Sequence, residues 1–122
     1  MKNQRYKKGL EMLAAIHGGH VGEQMVYELK DICPEFVDMV IEWGFGEIAS
    51  RTGIDLKTRE LVTIASCVTL GHAVPQLRAH IEAALKVGCT QQEIVEVILQ
   101  MSGYAGLAAV SNAFRIAKEV FV

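Results

Sequence analysis

The chain is predicted to be all-α, a single domain (residues 1–122) of six or seven helices. Apolar residues recur at helical spacing along most of its 122 residues. Both prolines, Pro34 and Pro75, stand where a helix would begin. Glycines fall mostly between the periodic segments, and no alternating strand run with hairpin chemistry interrupts them.

The first helix is expected over about residues 5–16, with Leu10, Leu13 and Ala14 on one face and Gly18 and Gly19 as its stop. A second covers about residues 22–30. Pro34 suits the first position of a third helix, where its missing N–H costs nothing, and Phe36, Val37, Val40 and Ile41 supply the apolar stripe. Gly44 and Gly46 disturb that stripe, leaving residues 46–50 as a kinked continuation or a separate turn, and Thr52-Gly53 reads as a loop. Asp55 is the expected N-cap of a central helix, with Glu60 in its first turn. Residues 61–70, LVTIASCVTL, are apolar or small all round, which predicts burial on most faces. Gly71 ends that helix, and the next runs from Pro75 to about Val87, with Gly88 as its stop. Thr90-Gln91-Gln92-Glu93 is a capping box, and Ile94, Val97, Ile98 and Met101 line the helix behind it. Gly103 and Gly106 break the pattern before a last helix over residues 107–121. Small residues from Ala105 to Ala113 there would let another helix approach closely.

Composition narrows the function. A hydrophobic fraction of 51% and a mean hydropathy of +0.25 exceed what one small domain needs to fill its core, which points to a subunit interface. Twelve Lys and Arg against fourteen Asp and Glu give a net charge of −2. Nucleic-acid and anionic-membrane binding need clustered positive charge, so neither partner is expected. Cys33, Cys67 and Cys89 form no CxxC and show no metal-ligand spacing, so no metal site or disulfide scaffold is expected. No apolar run reaches the ~18 residues of a membrane span, and the basic N-terminus has no apolar stretch behind it, so a cytoplasmic protein is expected.

A few side chains have the chemistry for a site. His80 lies at the margin of its helix's apolar stripe, where a half-desolvated imidazole suits proton transfer; the commoner role there is a bond to a backbone carbonyl. Glu60 reads either as a complement to the helix dipole or as a carboxylate that orients a histidine. Glu47 and Arg51 are spaced as a helical ion pair, yet they follow Trp43-Gly44-Phe45-Gly46, an apolar stretch able to line a pocket. Tyr104 and Asn112 either bond to backbone or donate to a bound oxyanion. His72 is expected to be exposed, and His17 and His20 flank two glycines too flexible to make a metal site.

Several stretches together resemble the carboxymuconolactone decarboxylase family, within the alkylhydroperoxidase D-like superfamily. They are Trp43 to Ile48 with Arg51, Gly53 to Leu61, Leu77 to Ile81, Ala84-Leu85, Gly88, Thr90 to Glu96, and Tyr104 through Ala109 to Phe114. The likeness covers almost the whole chain. It implies an all-helical subunit in a ring-shaped homo-oligomer, commonly a hexamer built as a trimer of dimers. The peroxidase branch carries a CxxC and a following histidine, which counted from Glu60 fall on His72, Pro75 and Ala79. With both thiols missing, the decarboxylase branch is the better placement.

That branch implies cofactor-free loss of CO2 from 4-carboxymuconolactone or a related carboxylated lactone, giving 3-oxoadipate enol-lactone. On this resemblance His80 is the acid or oxyanion donor, and Glu47 or Glu60 assists it. Arg51 holds a carboxylate, with Trp43, Tyr104 and Asn112 as further substrate contacts. The alternatives are an alkylhydroperoxidase-like redox protein and a homologue acting on a different substrate.

Overall fold

The computed structural model describes residues 3–122, and among them every regular element is helical. The chain forms two compact units, the first ending at Asp55 and the second spanning Leu56–Val122.

In the first unit, α1 (Gln4–His17) is capped by Asn3, whose side-chain oxygen accepts from the Tyr6 N–H at 2.8 Å. Its buried face is Gly9, Leu13, Ile16 and His17, so only Leu13 of the expected Leu10–Leu13–Ala14 face points inward. The close approach of the later segment Val40–Ala49 selects that face. α2 (Val21–Tyr27) runs into a 3₁₀ turn, Glu28–Asp31. Pro34 opens α3 (Pro34–Met39), which continues without a break as a π-helical segment, Val40–Ala49. Gly44 and Gly46 therefore do not separate a further element. A Cβ on Gly46 would lie 2.1 Å from the Arg5 carbonyl oxygen, and one on Gly9 would lie 2.0 Å from that of Ile41. The two glycines let α1 and the π-helical segment meet backbone to backbone. Leu13, Val37 and Ile41 form the core of this unit, with Tyr6, Val26, Tyr27 and Phe45 packed around them.

The second unit contains α4 (Leu56–Leu70), α5 (Val74–Lys86), α6 (Gln91–Gln100), the single turn α7 (Ser102–Ala105) and α8 (Leu107–Phe121). The six or seven helices expected from the sequence correspond to α1–α6 and α8. Ile64, Val68, Ile81, Ile94, Ile98 and Ala113 form the centre of the core. α4 buries one face only, Glu60, Ile64, Cys67 and Val68. Val62 and Leu70 are 58% and 56% exposed, against the expectation of burial on most faces. A composition that is apolar all round does not say which faces find a neighbour.

Gly71 (φ +78°) and Gly88 (φ +108°) turn the chain after α4 and α5, a left-handed backbone that costs glycine little. The expected capping box is present. The Thr90 hydroxyl accepts from the Glu93 N–H at 3.0 Å, and the Glu93 carboxylate accepts from the Thr90 N–H at 2.8 Å. No helix among the described residues is long and apolar enough to cross a membrane.

Gly46→Ala should destabilise the protein by about 1–3 kcal/mol in a denaturant melt, because the added methyl meets backbone that cannot yield cheaply. The cap makes a second prediction. The Thr90 N–H, helped by Lys57, holds the Glu93 carboxyl below its ordinary range. A carboxyl depressed by folding adds stability above its unfolded pKa and loses it as pH falls through the folded value. Glu93→Gln should therefore lower stability at neutral pH, with the difference from the parent closing in acid.

Candidate active site

Glu60 is the fifth residue of α4 and lies just past its first turn, so it does not serve as an exposed partner of the helix dipole. It faces inward, toward α5, where His80 occupies the middle of that helix. His80 Nδ1 and Glu60 Oε1 are 2.7 Å apart. The Glu60 side chain is 5% exposed and that of His80 is 22%. An ionised carboxylate can only accept, so the contact places a hydrogen on Nδ1, with Nε2 at the far edge of the ring. A buried carboxylate needs such a partner.

The two glutamates weighed as partners of His80 are now distinguished by contact. Glu60 touches it, whereas Glu47 lies in the first unit and accepts from Arg5 Nη1 at 2.8 Å. Trp43 is an exposed residue of the π-helical segment, and Arg51 is exposed just beyond that segment's end. Tyr104 is exposed on α7. Asn112 is exposed on α8 and accepts from Arg115 Nη1 at 3.4 Å. His72 is exposed in the turn after α4, as expected. His17 is a core residue, its ring edge-on to Phe45 with centroids 5.7 Å apart, and His20 precedes α2 on the surface. Among the described residues no three His, Cys, Asp or Glu side chains come together as a metal site.

Cys67 lies on the same buried face of α4 as Glu60. Burial, reinforced by the Glu60 charge, pushes its thiol pKa up. It stays protonated at neutral pH and lacks the character of a redox nucleophile.

A cavity of about 290 Å³ opens between α4, α5 and α8, against Cys67, Val68, Leu77, Asn112, Ala113 and Ile116. His80 and Glu60 are not among its lining residues. Sequence reasoning overlooked Arg115, which also lines this cavity. The signal was present in the spacing, since Ser111 and Asn112 stand four and three residues before it on one helix.

Residues 34–119 match the Carboxymuconolactone decarboxylase family. The chain belongs to that family. It is 39% identical over 118 residues to the 4-carboxymuconolactone decarboxylase of Acinetobacter baylyi, covering 97% of this chain and 87% of that protein. An uncharacterized 15.0 kDa protein in the nqo9–nqo10 intergenic region of Paracoccus denitrificans is 38% identical over 121 residues, covering 97% of this chain and 88% of that one. The nitrosuccinic acid decarboxylase of Metarhizium robertsii is 24% identical over 115 residues, covering 93% and 79%. The family match and the Acinetobacter relative support a decarboxylase of this family.

Glu60→Ala should cost about 1–3 kcal/mol, because it leaves the His80 Nδ1–H without its acceptor; Glu60→Gln, which keeps an acceptor oxygen, should cost less. Chemical denaturation of the three proteins side by side checks the order.

Proposed function

We propose that this family member is a cofactor-free decarboxylase of 4-carboxymuconolactone or a closely related carboxylated lactone, releasing CO2 and 3-oxoadipate enol-lactone. The observation that carries the reading is the Glu60–His80 pair, an oriented imidazole backed by a buried carboxylate. The Acinetobacter relative's name supports the substrate class.

The substrate brings its own electron sink. Its departing carboxylate is attached at the carbon gamma to an unsaturated lactone carbonyl. As that carbon–carbon bond breaks, its electron pair moves through the ring double bond onto the carbonyl oxygen and CO2 leaves. A proton added at the alpha carbon then gives the enol-lactone. In its protonated form His80 carries a hydrogen on Nε2 as well, which donates to the developing oxyanion or passes to the alpha carbon, and a proton from solvent replaces it. Glu60 holds the imidazole in orientation through Nδ1. Arg51 is the proposed cation for the carboxylate that remains, with Trp43 and Tyr104 as further substrate contacts. Glu47 is the alternative acid–base group. No step is assigned to Asn112.

The proposed working unit is a ring-shaped homo-oligomer, a hexamer built as a trimer of dimers and acting in the cytoplasm. Exposed apolar side chains such as Val62, Leu70 and Leu107 support burial between subunits. Sedimentation should then give a species well above the 13.4 kDa of one chain. The Metarhizium relative's name favours a second reading, decarboxylation of a different small acid.

An absorbance assay with freshly prepared 4-carboxymuconolactone tests the first reading. His80→Ala should lower kcat by about 10²–10⁴-fold, the usual contribution of a positioned acid or base. Helix content by circular dichroism is followed in parallel, because the substitution also strands the Glu60 carboxylate. Turnover near the parent level in a folded His80→Ala variant would reject the role. Dithiol-dependent peroxide reduction should be absent, since Cys67 stays a thiol.

A further inference from the structure

We infer that the cavity between α4, α5 and α8 is a second small-molecule site, separate from the Glu60–His80 pair, and that it takes a small ring-bearing monocarboxylate. Its walls are apolar where Val68, Val74, Leu77 and Ile116 meet, and its volume is about 290 Å³. That lies at the lower limit of the roughly 300–1,000 Å³ usual for ligand pockets, so it suits one ring with a short substituent rather than a nucleotide.

Polar groups enter from α8. Arg115 Nη1 donates to Ser111 Oγ at 2.8 Å and to Asn112 Oδ1 at 3.4 Å, both uncharged acceptors. The guanidinium is braced through Nη1, and among the described residues no carboxylate is ion-paired with it, so its other N–H groups suit a carboxylate. Because Asn112 Oδ1 accepts from Arg115, the carboxamide turns its Nδ2 donors the other way. Glu119 also lines the cavity, but its carboxylate is ion-paired with the Arg78 guanidinium, which offsets its repulsion of an anion. An apolar wall and one braced cation match the two parts of an aromatic or lactone monocarboxylate. The site does not depend on the decarboxylase reading, since neither His80 nor Glu60 lines it.

Calorimetric titration of the purified oligomer or monomer, as it exists in solution, with benzoate at neutral pH tests the inference. Saturable binding with a Kd of about 1 mM or tighter is expected for so small a ligand. Arg115→Gln should weaken it about tenfold or more, the scale of a lost charge-assisted contact. Ala109→Phe, which fills the cavity from its half-buried rim, should abolish it, and folding of both variants is checked by circular dichroism. His80→Ala should bind benzoate as the parent does, so loss of decarboxylation and loss of this site are read separately. No saturable binding, or binding as tight as the parent's in either Arg115→Gln or Ala109→Phe, would overturn the proposal.

Discussion

A carboxylate that is almost wholly out of water, Glu60, sets the terms for the second unit. An isolated buried charge is too costly to keep, so a donor must meet it wherever α4 and α5 pack. His80 Nδ1 does so at 2.7 Å, and the two helices are held in the register that allows it. Ile64 one turn along α4 and Ile81 beside His80 are fully buried. The imidazole is therefore oriented by its acceptor, which is the condition for a histidine to act at its opposite nitrogen.

The helices were legible because their ends are local events. Pro34, Gly71, Gly88 and the Thr90–Glu93 box each act within a turn of their own position, and α3, α4, α5 and α6 begin or end beside them. What depends on a neighbour was less legible. Gly46 reads as a breaker in one dimension, yet in space its missing side chain admits the backbone of Arg5, and the helix runs through it as a π-helical segment. Residues 61–70 read as buried all round, although only the side facing other helices is covered. Leu10 and Ala14 fit a stripe as well as Gly9 does, and the glycine turned out to face inward because contact there is between backbones.

The candidate site divides the same way. His80 and Glu60 were each recognisable as chemistry-bearing, but 20 residues separate them, and no periodicity on either helix connects the two. Only the crossing of α4 and α5 chooses Glu60 over Glu47, whose carboxylate is taken up by Arg5 in the other unit. Arg115 went unnoticed because an arginine on an exposed helix face is ordinarily solvated. Its distinction is the cavity beside it and two uncharged partners on its own helix, neither of which composition reveals.

The difference in exposure within the pair gives the proposed mechanism its direction. Glu60 at 5% is sealed, so its charge acts on His80 through a short contact little weakened by water. His80 at 22% keeps part of its ring open, which a group that must reach a substrate requires. Were the exposures reversed, the carboxylate would be screened and the imidazole shut away, and the same two residues would serve packing alone. A thiol pair needs a different setting, one that depresses a pKa, whereas burial and the Glu60 charge push Cys67 upward. One buried carboxylate thus orients the imidazole and disfavours a thiolate on the same helix face. That is the physical ground for proposing proton chemistry rather than sulfur chemistry in this unit.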